Sequence, residues 1–124
     1  MKQRAPTRAW YSPGRPGRRP RVLVEDAHPA LAISDFSRFA QAGFDVAYCS
    51  GPGAHATDCP VLRGQRCALL DGADAVLHGL DPRLGMAAAI RRRRPGLPVI
   101  EPAGDCSVAG QLTALRQALA RPGR

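Results

Sequence analysis

The sequence predicts a three-layer α/β fold built on a parallel sheet. Three observations carry this expectation. Short β-branched, apolar runs recur along the chain, amphipathic stretches with helical spacing alternate with them, and glycine or proline punctuates the junctions. At 124 residues the chain is long enough for one domain and too short for two. Apolar residues make up 44% and aromatics only 5%, so the core must come from Val, Leu, Ile, Ala and three Phe.

Residues 1–20 mix arginines with Pro6, Pro13, Gly14, Pro16, Gly17 and Pro20. Such a stretch buries too little apolar surface to offset its ordering entropy, so it is expected to be a disordered tail, with Trp10-Tyr11 its one sticky point. The α/β domain is placed at 21–121. Arg21-Val22-Leu23-Val24-Glu25 reads as a buried parallel strand. Pro29 to Ala42 reads as a helix with Leu31, Phe36 and Phe39 on one face, ended by Gly43. Phe44 to Tyr48 alternates as a second strand. Residues 49–72 hold three of the four cysteines among glycines and prolines and read as a long insert with little regular structure. Ala73 to His78 is the third strand. A helix then runs from an Asp81 cap and Pro82 to about Arg94, where Pro95-Gly96 stops it. Leu97 to Ile100 is a fourth strand, and Val108 to Ala120 a last amphipathic helix capped by Ser107. Strands alternating with helices argue for right-handed crossovers, and ligands of such sheets bind at the carboxyl ends of the strands.

The net charge of +8 invites a nucleic-acid reading, but its location weakens it. Lys2, Arg4, Arg8, Arg15, Arg18, Arg19 and Arg21 precede the first acid, and the remaining 11 basic residues nearly balance the 10 acidic ones. Arg91-Arg92-Arg93-Arg94 closes a helix, where cations meet the helix dipole favourably. With the tail it offers non-specific contact to nucleic acid at most. No apolar run approaches the roughly 20 residues that span a membrane, and no apolar segment follows the basic start. A cytoplasmic location is therefore expected, with cysteines that are reduced, metal-bound or redox-active.

Val22-Leu23-Val24-Glu25-Asp26-Ala27-His28-Pro29 resembles the opening of a response-regulator receiver (CheY-like) domain, where an acidic pair after the first strand holds Mg²⁺ and a proline starts the first helix. The Pro29-to-Gly43 spacing, Ala73-Asp74-Ala75-Val76-Leu77 and Pro95-Gly96-Leu97-Pro98-Val99-Ile100 extend the likeness over about residues 21–101. The resemblance implies a flavodoxin-like sheet truncated to about four strands in the order 2-1-3-4, with flanking helices. With the arginine bias, it implies a high-GC bacterial source. It also implies Mg²⁺ at Glu25 and Asp26, although acids at a strand end are equally explained as solvated or as capping the first helix.

The departures are extensive. The phosphoacceptor aspartate should fall five residues after Asp74, and that position is Gly79. Asp81 is better explained as a helix cap. The hydroxyl residue after the fourth strand falls at Ala103, the only lysine is Lys2, and 23 residues after Glu101 leave room for one helix, not for helix, strand and helix. Phosphoryl transfer to a carboxylate needs the nucleophile, a metal and a cation together, so aspartyl phosphorylation is not expected.

Cys49, His55, Cys59 and Cys67 are candidate ligands for zinc or an iron–sulfur cluster, although no close C-x₂-C pair accompanies them. The competing readings are small buried hydrophobes or a disulfide such as Cys59–Cys67. Cys106 stands alone at a helix start. His28 and His78 lie near the carboxyl edge, where they are expected to be polar residues of a solvated rim and not a catalytic pair, because no serine or cysteine is spaced to form a triad with them. Gly51-Pro52-Gly53 follows a strand, but its proline lacks a donor that a phosphate cradle needs. The expectation is a non-catalytic receiver-like regulatory module that binds a protein partner. A metal or redox domain at the cysteine loop and nucleic-acid contact through the tail are the alternatives.

Overall fold

A computed structural model describes residues 10, 19–27, 36–51, 59–101 and 107–120. The strands are β1 (Arg21–Asp26), β2 (Asp45–Cys49), β3 (Ala75–Gly79) and β4 (Val99–Ile100). They form one parallel sheet in the order β2-β1-β3-β4, as expected. The helices are α1 (36–41), α2 (Ala68–Gly72), α3 (Met86–Arg93) and α4 (Val108–Ala120). The first helix is thus observed over 36–41, and residues 29–35 of its expected span lie outside the described ones.

Side chains of a strand alternate between faces, and both faces of this sheet are covered, which is why its strands read as continuous apolar runs. Val22, Val24, Val46, Ala75 and Leu77 face Phe36 and Phe39 of α1 and Leu115 of α4. Leu23, Ala47 and Val76 face Leu69 and Leu70 of α2, Ala89 and Ile90 of α3, and Cys59 and Val61 of the preceding turn. Among the described residues, no helix is long and apolar enough to cross a membrane.

The amino edge of the sheet is fastened by polar groups. The Arg21 N–H donates to Asp74 Oδ2 at 2.8 Å, and the Asp74 N–H donates back to the Arg21 carbonyl at 2.8 Å. Arg21 Nε lies 3.7 Å from Asp45 Oδ2. Residues assigned to the tail take part. The Asp45 N–H donates to the Pro20 carbonyl, and the Arg19 guanidinium donates to the Ala40 and Gly43 carbonyls at the end of α1. Trp10 packs against the α2/α3 layer, its indole beside Gly72 and the Arg21 guanidinium 5.4 Å from its ring centroid. A Cβ on Gly72 would stand 2.7 Å from the indole nitrogen, so any other residue there would displace the Trp10 ring. Residues 1–9 and 11–18 lie outside the described ones.

Two expectations need correction. The insert after β2 holds more regular structure than expected. It contains a turn closed by Arg63 and Gln65 N–H groups on Cys59 and Pro60 carbonyls, then α2. Five residues are too few to show helical periodicity, so α2 was invisible to pattern. The helix expected from Asp81 to Arg94 is two elements: a 3₁₀ turn, Pro82–Leu84, then α3. Asp81 does cap the turn through the Arg83 N–H, but Gly85 at φ +70° redirects the chain. Ser107 caps α4 as expected, its Oγ accepting from the Gly110 N–H at 3.1 Å.

The arginine run after Ile90 is also divided. Arg94 turns inward and donates to the Leu70 and Ala73 carbonyls at 2.8 and 2.7 Å, satisfying the end of α2. Arg91 pairs with Glu101 at 3.4 Å. Arg94→Ala is therefore expected to cost about 2 kcal/mol in urea denaturation, while Arg92→Ala stays within about 0.5 kcal/mol. Equal effects from the two variants would show that the capping role is absent.

Candidate functional site

The register of the sheet sets the site. Cys49 of β2 and His78 of β3 both lie directly beside Glu25 of β1. Alternation from Leu23, Ala47 and Val76 places all three side chains on the α2/α3 face, in one row at the carboxyl edge. Ligands reach folds of this kind at that edge.

Glu25 and His78 are each 3% exposed, and Glu25 Oε1 lies 2.7 Å from His78 Nδ1. The expectation that these groups are solvated rim residues is overturned: they are a buried pair. An ionised Glu25 accepts the hydrogen bond from the Nδ1–H and fixes that tautomer, which leaves the Nε2 lone pair outward from the pair. Nε2 is buried and has no hydrogen-bond partner among the described residues. The same pairing orients histidines that bind metals or act as bases, so the arrangement can accept one donor at Nε2.

Strand geometry separates the two expected Mg²⁺ ligands. Glu25 and Asp26 are consecutive strand residues and point to opposite faces, and the Glu25 carboxylate is engaged by His78 instead of opening beside Asp26. Tyr48 covers this end of β1, its hydroxyl donating to the Asp26 carbonyl at 2.7 Å. Gly79, where a receiver would carry its aspartate, is closed as well. A Cβ there would stand 2.9 Å from the Glu25 carbonyl oxygen, closer than real Cβ contacts come. Asp81 lies beyond the strand, and both its oxygens are engaged by the Arg83 guanidinium at 2.8 to 3.2 Å. That hydrogen bond, reinforced by the Arg83 backbone N–H, holds the Asp81 carboxyl below its ordinary range.

The cysteines are placed on the same layer but apart in role. Cys49 Sγ accepts from the Gly51 N–H at 3.4 Å. Cys59 is buried, with its thiol 4.0 Å from the Met86 sulfur. Cys67 precedes α2 and contributes its carbonyl to the Asp71 N–H. Cys59 and Cys67 are both free thiols, so the Cys59–Cys67 disulfide is not formed. Among the described residues, no group of three or more His, Cys, Asp and Glu side chains is arranged to hold a metal ion. His28, His55 and Cys106 lie outside the described residues.

The Glu25–His78 pair escaped pattern reading because each residue was taken with its own strand end. Aligning Val22-Leu23-Val24-Glu25 with Ala75-Val76-Leu77-His78 would have shown an acid beside an imidazole on adjacent parallel strands. Comparison with family models, curated proteins and solved structures gives no match.

His78→Leu leaves a buried carboxylate alone and is expected to cost about 3–5 kcal/mol. The Glu25→Leu/His78→Leu double variant is expected to lose less than the sum of the single variants, by about 0.5–3 kcal/mol, in urea denaturation. Strict additivity would show that the two side chains do not interact.

Proposed function

We propose that the chain is a non-catalytic, receiver-like regulatory module that acts by binding a protein partner and is not phosphorylated on aspartate. The observation that carries this reading is Gly79. The position of the acceptor lies against the Glu25 carbonyl, so an aspartate there would force the strands apart. Two further features support it. The Glu25 carboxylate is engaged by His78 instead of being free to hold an ion, and the nearby Asp81 carboxylate is occupied by Arg83. A fold of this topology that keeps its sheet edge but closes its acceptor position is suited to present surfaces, with both layers of helices as platforms.

The purified protein incubated with acetyl phosphate and Mg²⁺ is expected to show no acid-stable, hydroxylamine-sensitive phosphate by intact mass. Gly79→Asp is expected to remain unlabelled and to lose about 1–3 kcal/mol through overpacking against Glu25. Stable labelling of the native chain that disappears in Asp81→Ala would overturn the reading.

A further inference from the structure

A groove of about 420 Å³ runs between the 59–64 turn and α3, remote from the carboxyl-edge pair. Its floor is apolar: Val61 and Ala89 are buried in the core beneath it, and Leu62 is packed against that core. Its rim carries Arg63, Arg92 and Arg93, and among the described residues no acidic side chain lines it. Arg63 is held on a turn that closes twice, through its own N–H on the Cys59 carbonyl and the Gly64 N–H on the Val61 carbonyl.

Four arginines elsewhere each stand beside an acid: Arg21 by Asp45, Arg66 by Asp71, Arg83 by Asp81 and Arg91 by Glu101. At the groove three arginines converge with no such acid among the described residues. Arg93 makes one long hydrogen bond, 3.5 Å, to the Gly64 carbonyl. Arg63 and Arg92 have no ion pair or hydrogen bond among the described residues. Three like charges over one groove repel one another until an anion separates them.

We propose that this groove is the docking site for a short acidic peptide segment of a partner protein, carrying at least one apolar side chain between its carboxylates. The proposal rests on the interaction reading above and gives it a surface and a partner chemistry. The apolar floor accepts the aliphatic side chain. The guanidinium forks above it match carboxylates and bind them as charge-assisted pairs. A nucleic acid fits less well, because none of the lining residues is aromatic and no base could stack there.

The test is fluorescence anisotropy of the full chain with a labelled Glu-Glu-Leu repeat peptide, with a duplex DNA as the second probe. The basic tail contributes its own attraction, so two charge reversals are compared. Arg63→Glu/Arg92→Glu changes the groove. Arg38→Glu/Arg116→Glu makes the same charge change at exposed positions on α1 and α4, in the opposite layer. Urea midpoints within error of the native chain establish that each variant is folded. The expected result is at least about tenfold weaker peptide binding for the groove variant and a change within about twofold for the control, with affinity falling as salt rises. Equal losses in both variants, or no peptide binding by the native chain, would overturn the proposal. So would a groove variant that loses DNA binding while its peptide binding is unchanged. None of these outcomes depends on acetyl-phosphate labelling, so failure of the groove is distinguishable from failure of the broader reading.

Discussion

A carboxylate and an imidazole held 2.7 Å apart at 3% exposure set the terms for this end of the molecule. Either group alone in that position would carry a desolvation cost of several kcal/mol. Together they join β1 to β3 at the carboxyl edge and keep both strands buried to one residue short of their ends. Their alignment places Gly79 directly after His78 and beside Asp26, with its α-carbon close to the Glu25 carbonyl. The glycine at position 79 and the burial of Glu25 are thus linked features of one arrangement.

The two layers divide the remaining work. The α1/α4 face is a dry apolar contact built on Phe36, Phe39 and Leu115. The α2/α3 face is more varied: it carries the described cysteines, the Glu25–His78 pair and the arginine-rimmed groove. Arg94 connects its parts, because the residue that ends α3 also satisfies the carbonyls that end α2. A run of four arginines therefore contains a structural cap, an ion pair and two rim cations, and its sequence shows none of this division.

The strands were legible because parallel strands covered on both faces must be apolar throughout, and Val22-Leu23-Val24, Val46-Ala47 and Ala75-Val76-Leu77 leave little alternative. The sheet order followed from the receiver resemblance, and α4 from its amphipathic spacing. Local signals failed where a tertiary contact decides the outcome. Gly85 sits inside an otherwise good helical stretch, and only its φ of +70° reveals the break. Trp10 looked like a stray aromatic in a tail, yet it lies in a seat made by Gly72 and Arg21. Glu25 and His78 are 53 residues apart, so their pairing required the strand register and not only the strands.

The central claim is that His78 is locked to Glu25 inside the fold, and nitrogen NMR of histidine-labelled protein tests it most directly. The three histidines are distinguished by the loss of one signal in His78→Gln. An Nδ1-bound proton on His78 that exchanges slowly with water and vanishes in Glu25→Leu is expected. A His78 ring with rapidly exchanging protons and solvent-like shifts, unchanged by Glu25→Leu, would contradict the pairing.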